Sequence, residues 1–231
     1  MVTHKTQIAI IGGGPAGLLL SHILHLNGID SMVIERQSKA HVKGRIRAGV
    51  LEAGTVQLLR DVGLGDRMDR EGMPHDGTSF TWENKPSLFI DVKKFTGKSF
   101  MAYGQTSITE DLYLQRERDN GQIICEASEV QIHDIVKKKP KVTFLADGQN
   151  HEVICDFIAG CDGFHGVSRQ SIPTHLQRSF QRTYPFGWLG IMAKVPPYKD
   201  VLYGYHSEGF ALASQRNPML SRFYIQVDIQ D

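Results

Sequence analysis

The stretch QIAIIGGGPAG at residues 7–17 decides how this chain is read. Residues 7–11 form a short apolar run, and the glycines after it stand at Gly12, Gly14 and Gly17. An apolar-periodic stretch over residues 18–26 then runs into Asn27-Gly28, as the end of a helix does. A second apolar run, residues 31–34, leads to Glu35. The order is strand, tight turn, helix, strand, a βαβ unit of about 30 residues.

Within such a unit each glycine has its own task. The first permits the tight turn, the second lets the backbone approach a pyrophosphate, and the third allows close helix–strand packing. The helix N-terminus turns its N–H groups and the positive end of its dipole toward the phosphates. Glu35 follows Gly17 by 18 residues, where a carboxylate can accept both hydroxyls of a ribose. The context, more than the glycines alone, predicts dinucleotide binding. The adenosine half of FAD and that of NAD both satisfy it, whereas Glu35 would repel a 2′-phosphate at this turn.

Outward from the turn, the 231 residues allow one large domain or two intimately joined ones. Lys and Arg total 26 against 25 for Asp and Glu, a balance of +1 that argues against a nucleic-acid coat or a polybasic membrane binder. No apolar run has the length of a membrane span, and residues 1–7 lack the pattern of a secretion signal, so a cytoplasmic protein is expected. Cys125, Cys155 and Cys161 are odd in number and form no C-x-x-C pair, which fits reduced thiols better than a disulfide framework or zinc ribbon. His22 and His25 lie three apart on the first helix without a ligand set around them, and no metal is expected.

Further along, residues 48–64 suggest a second helix stopped near Gly63 and Gly65, and residues 106–120 a third with Gly121 at its end. From Ile123 the texture turns to β. Residues 130–136 and 141–145 read as a hairpin, and residues 153–158 as a third strand ending in A-G-C-D-G. After Pro173, the runs 186–195, 201–206, 209–215 and 222–229 predict one antiparallel sheet. Two segments add chemistry. GRIRAG at 44–49 sets two guanidinium groups beside small residues, suited to bidentate phosphate contact or, more plainly, to a solvated surface. Gly160-Cys161-Asp162-Gly163, continuing to Arg169, is a second candidate phosphate turn or no more than a turn.

Residues 12–17, Glu35-Arg36, 44–50, 103–106, 158–169 and 184–188 together resemble the 4-hydroxybenzoate 3-monooxygenase family of class A flavoprotein aromatic hydroxylases, with GRIRAGVLE and IAGCDGFHG the most specific segments. The resemblance runs through essentially the whole chain. It implies an α/β (α+β overall) protein with a Rossmann-like FAD-binding half, residues 1–73 and 100–180, and an antiparallel-sheet substrate half, residues 74–99 and 181–231. Family members are longer, so this chain is expected to be an N-terminal portion, with part of the flavin seat supplied from beyond it.

By the same resemblance Gly12, Gly14, Gly17 and Glu35 hold the adenosine half of FAD, and Arg45, Ile46, Arg47, Ala48, Gly49, Val50 and Gln105 follow the rest of the cofactor. Asp162-Gly163 matches a fingerprint that serves both FAD and the reduced nicotinamide donor, NADPH or NADH. Arg36, Gln37, Arg45, His165 and Arg169 stand where the family meets NADPH. His41 stands where the family carries Tyr, which leaves the choice of donor open.

Tyr203, Ser214, Gln215, Arg216 and Tyr224 match the substrate set. A benzoate carboxylate taken out of water needs a charge-assisted partner, and Arg216 offers a planar fork for it. Arg222, Tyr224 and Gln226 alternate onto one strand face, with Phe223, Ile225 and Val227 on the other. Tyr203 would act on the 4-hydroxyl of 4-hydroxybenzoate, and His75 matches the outer histidine of a proton relay. The implied reaction is 3-hydroxylation to 3,4-dihydroxybenzoate with O2 and NAD(P)H through a flavin hydroperoxide, in a protein that can be a homodimer. Two other readings stay open: a non-catalytic FAD- or nucleotide-binding module, and an NAD(P)-dependent dehydrogenase, against which the Asp-Gly segment counts.

Overall fold

The structure, a computed structural model, describes residues 1–83 and 85–230; Asn84 and Asp231, both inside the expected substrate half, lie outside the described residues. In chain order the first elements are β1 (Val2–Lys5), β2 (Ile8–Ile11), α1 (Pro15–Leu26), β3 (Ser31–Ile34) and α2 (Lys39–Gly44). Then come β4 (Val50–Leu51), α3 (Ala53–Asp61), α4 (Asp66–Glu71), β5 (Met73–His75), β6 (Gly77–Trp82), β7 (Lys85–Asp91), α5 (Val92–Thr96) and β8 (Phe100–Ala102). The chain continues through α6 (Gln105–Arg118), β9 (Gln122–Ile124), β10 (Ser128–His133), β11 (Lys141–Ala146), β12 (Gln149–Ile154), β13 (Phe157–Gly160) and α7 (Val167–Gln170). It closes with β14 (Gly187–Ala193), β15 (Val201–His206), β16 (Gly209–Asn217) and β17 (Leu220–Val227).

Two compact units result. The first is Met1–Arg47 with Gln105–Ser179, and the second is Ala48–Gly104 with Phe180–Asp231. Residues 48–73 and 100–104, together with Phe180, were expected in the FAD-binding half and instead pack in the second unit. The reason is pairing: β4 and β5 both bond to β8, tying this stretch into one small sheet.

In the first unit the four strands β13-β2-β3-β9 form an all-parallel sheet, with α1 packed against β3 and α6. A second sheet, β1-β12-β11-β10, faces it. In β11 Val142, Phe144 and Ala146 are buried alternately, as period two demands, and they meet Ala9, Ile11, Met32 and Ile34 in one core. The larger of these, Val142, Phe144, Ile11, Met32 and Ile34, each contribute roughly 1.5–3 kcal/mol when fully buried. The run 153–158, expected as one strand, is two. Asp156 and Phe157 both donate their N–H to the carbonyl of Gln7, at 2.9 and 3.0 Å, and this capture carries the chain from β12 in one sheet to β13 in the other.

In the second unit six strands run in the order β14-β17-β16-β15-β6-β7. All pairs are antiparallel except β15 with β6, so the sheet expected to be purely antiparallel is mixed. No hairpin links β6 to β15, hence nothing local dictates their direction. Residues 48–64, expected as one helix, divide into β4 and α3 because Val50 and Leu51 pair with Ala102 and Met101. Among the described residues no helix is long and apolar enough to cross a membrane.

Candidate cofactor and substrate sites

The glycine turn of the first unit is built by collision and by charge. Gly12 has φ +108°, which only glycine adopts without strain, and a Cβ there would run into the carbonyl of Cys161. A Cβ on Gly17 would strike the carbonyl of Gly12. Gly14, the N-cap of α1, is different: a Cβ there would meet nothing within 4 Å. The protein's own packing thus demands the first and third glycines, while the second borders open space at the mouth of the helix. Open space above N–H groups at a helix start is what a pyrophosphate requires, so these residues fit a dinucleotide.

Glu35 braces the turn. Its Oε2 accepts the N–H of Gly13 at 2.6 Å and its Oε1 accepts that of Gln37 at 2.7 Å, leaving further lone pairs for ribose hydroxyls. Tyr113 of α6, buried, stands behind Gly13, and burial in the first place, then Cys125, raises its phenol above the usual range. Asp162 adjoins the same turn through the Cys161 backbone that abuts Gly12. Its Oδ2 accepts the N–H of Ser168 at 2.9 Å, and a Cβ on Gly166 would run into its carboxylate. The structure therefore brings both glycine fingerprints together. Arg169 lays its guanidinium 4.1 Å from the centroid of the Phe164 ring and donates to Ser179 Oγ at 3.1 Å, and His165 is exposed beside them. Arg36, Arg45, Ile46 and Arg47 are exposed, as are Ala48 and Val50, and Gln105 opens α6. α2, which ends at Gly44, is clasped to α6 by the pairs Lys39–Glu117 and Lys43–Glu110, the latter at 3.1 Å.

The second unit gathers the expected substrate residues on one sheet face. Tyr203 of β15 opposes Leu212 of β16, which opposes Tyr224 of β17; Ser214 opposes Arg222. Directly opposed residues share a face, as do alternate ones, so Tyr203, Ser214, Arg222 and Tyr224 all lie on it. Arg216 stands two residues beyond Ser214, at an irregularity between Gln215 and Asn217. Burial above all, then the charge of Arg222, pulls the Arg216 guanidinium down to about 10, still cationic at neutral pH. Gln215, expected among the substrate contacts, is on the other face: it donates to the carbonyls of Tyr198 and Lys199 at 2.9 and 2.8 Å. Strict alternation along the strand puts it there.

Arg222 is a site residue missed from sequence. It is buried, its guanidinium lies 4.2 Å from the centroid of the Tyr224 ring, and burial lowers its pKa. Its alternation with Tyr224 was the available signal. Two guanidinium groups drawn partly out of water form a setting for one carboxylate. Gly49 belongs to this cluster too, because a Cβ there would collide with Nη1 of Arg216.

His75 ends β5, buried, and its Nε2 has no hydrogen-bond partner among the described residues. Burial lowers its pKa, opposed by the carboxylates of Asp200 and Asp76. No hydrogen bond joins it to Tyr203 among the described residues. The described residues hold no cluster of three metal-ligating side chains, and His22 and His25 instead face Asp119 at 3.3 and 3.8 Å. All three cysteines are free thiols.

A family model described as FAD binding domain matches residues 5–231. The chain belongs to this FAD-binding domain family. It is 46% identical over 233 residues to p-hydroxybenzoate hydroxylase of Acinetobacter baylyi, an alignment covering 100% of this chain and 57% of that protein. To 3-(3-hydroxy-phenyl)propionate/3-hydroxycinnamic acid hydroxylase of Burkholderia cenocepacia it is 23% identical, over 83% of this chain and 35% of the relative. The chain thus spans little more than half the length of the first relative and about a third of the second. The crystal structure of p-nitrophenol 4-monooxygenase from Pseudomonas putida superimposes with a TM-score of 0.85 at 17% identity, covering 100% of this chain and 60% of that one, which establishes the shared fold.

Proposed function

We propose that the protein is an FAD-dependent aromatic hydroxylase that converts 4-hydroxybenzoate to 3,4-dihydroxybenzoate with O2 and NADPH or NADH. The observation that carries this reading is the register that sets Tyr203, Ser214, Arg222 and Tyr224 on one sheet face, with Arg216 beside them. The 46% identity to p-hydroxybenzoate hydroxylase supports the choice of substrate.

Each residue has a task the geometry suits. Gly12 and Gly17 allow the close packing of the turn, Gly14 leaves room for the pyrophosphate of FAD at the start of α1, and Glu35 receives its ribose. When bound, FAD supplies the redox chemistry that activates oxygen. Arg216 pairs with the benzoate carboxylate, and Ser214 and Tyr224 donate the remaining hydrogen bonds. Arg222 adds a second positive charge and holds Tyr224 by cation–π contact. Tyr203 directs its hydroxyl at the 4-hydroxyl and takes its proton, which makes the ring a better nucleophile. His75, whose pKa burial lowers, is the outer histidine of the relay that carries that proton away. Asp162, His165 and Arg169 serve the nicotinamide donor together with Arg36.

The test is the full-length protein carrying this chain, incubated with FAD, desalted and titrated with 4-hydroxybenzoate while NADPH or NADH oxidation and product are followed. Retained flavin absorbance with substrate-stimulated oxidation and 3,4-dihydroxybenzoate as product supports the reading. Flavin that stays bound but is indifferent to 4-hydroxybenzoate favours a non-catalytic module. Turnover of the nicotinamide without flavin favours a dehydrogenase.

A further inference from the structure

Resting on that reading of Tyr203, we propose that Phe80 is a positioning residue that sets the ring plane of Tyr203. β6 lies beside β15 in parallel register, and Phe80 directly opposes Tyr203. Their rings stack with centroids 5.2 Å apart and planes within 13°. Phe210, tilted by 45° at 6.1 Å, bounds the same ring from β16.

Strand register places the Cβ of Tyr203, and its first side-chain torsion places the phenol oxygen. Neither fixes the ring plane, because the second torsion of a tyrosine is broad. Turning about that torsion leaves the oxygen on its axis and rotates the plane in which its O–H and lone pairs lie. A group that must accept one proton and pass it on needs that plane held, within about 10–20° for productive geometry. A flat neighbour in face-to-face contact holds it, and Phe80 is that neighbour. It has no polar atom with which to bind substrate.

A second tie supports the assignment. Ser79, next to Phe80 and on the opposite sheet face, donates its hydroxyl to the buried carboxylate of Asp200 at 3.3 Å. Asp200 stands three residues before Tyr203, and Phe80 five residues after His75. The segment carrying His75 is therefore joined to the segment carrying Tyr203 on both faces of the sheet. Phe80 is the joint on the substrate side.

The experiment compares Phe80→Ala, Phe80→Leu, Phe80→Tyr and Tyr203→Phe in the full-length holoenzyme, measuring the Kd of 4-hydroxybenzoate and the product formed per NAD(P)H consumed. Phe80→Leu keeps much of the apolar bulk and loses the flat face, so it stands in should Phe80→Ala not fold. The expected result is a Kd within about twofold of the parent, since Arg216 binding is untouched, and a fall in product per NAD(P)H of about tenfold. Phe80→Tyr, which restores a flat face, recovers the coupling. Unchanged coupling in Phe80→Leu while Tyr203→Phe loses it overturns the role of Phe80 alone. A loss of substrate affinity in step with coupling means a merely structural role and also overturns it. Unchanged coupling in Tyr203→Phe instead overturns the reading of Tyr203, and the proposal falls with it.

Discussion

Arg216 fills the space that any side chain at Gly49 would need: a Cβ there would collide with Nη1 and stand 3.0 Å from Cζ. Gly49 is also pinned from behind, its carbonyl accepting the N–H of Tyr103 at 2.9 Å. Its φ is not in the left-handed region, so the demand for glycine here is one of close approach and not of handedness. The resemblance assigned Gly49 to the cofactor, whereas its neighbour in the second unit is the proposed carboxylate fork. Gly49→Ala should displace that fork and weaken 4-hydroxybenzoate binding by about tenfold or more, with the fold retained. Isothermal titration of the full-length variant checks it, and an unchanged Kd would show that the guanidinium simply swings aside.

Removing the fork itself should cost more. Arg216→Ala is expected to weaken binding of the aromatic acid by roughly 2–4 kcal/mol, because a carboxylate would then be buried without its charge-assisted pair. Arg222 remains on the face and keeps the loss from being larger. Arg216→Lys should recover only part of it, since an ammonium cannot make two parallel hydrogen bonds. Parent-like affinity in Arg216→Lys would mean that charge alone, not the planar fork, is recognised.

Glu35 supplies a third test at the other site. Its two carboxylate oxygens accept two backbone N–H groups, of Gly13 and Gln37. Glu35→Gln leaves one acceptor and places an NH2 against a donor, so the turn should loosen and FAD affinity fall by about 1–3 kcal/mol. Quenching of flavin fluorescence on titration measures the change. Wild-type affinity in this variant would remove Glu35 from the ribose.

How far these sites were legible in the sequence depends on how local their causes are. The glycine turn, α1 with its Asn27 C-cap, and the hairpin of β10 and β11 are set by residues within a few positions of one another, and each stands where the sequence places it. The division of residues 153–158 was not legible, because its cause is the carbonyl of Gln7, far away in the chain. Nor was the mixed sheet: residues 78–82 find residues 201–205 only through the fold. Gln215 was placed with the substrate by motif, and period-two alternation overrules the motif. Arg222 obeys that same alternation and was visible in it.

At the edge of the first unit, β1 carries a pH-sensitive contact. Nε2 of His4 and Nδ1 of His151 are 3.0 Å apart, the ring planes lie within 6° of each other with centroids 5.3 Å apart, and Nε2 of His151 lies 3.3 Å from the carbonyl of Ala146. A carbonyl only accepts, so His151 carries its hydrogen on Nε2 and accepts on Nδ1, and His4 must donate from Nε2. The chain closes only while His151 is neutral. Burial first, and the charge of His151 second, lower the pKa of His4 below its usual 6.5. A histidine whose folded pKa is depressed costs stability once the unfolded form begins to bind protons. The contribution is therefore intact above the unfolded value and is lost as pH falls from there through the folded value. Tm should be flat well above the unfolded value of about 6.5 and decline as pH falls below it, with amide exchange rising first in β1 and its partner β12. His4→Gln keeps a donor for His151 and does not titrate, so its Tm should decline less as pH falls. A decline as steep as that of the parent would move the pH sensitivity away from this pair.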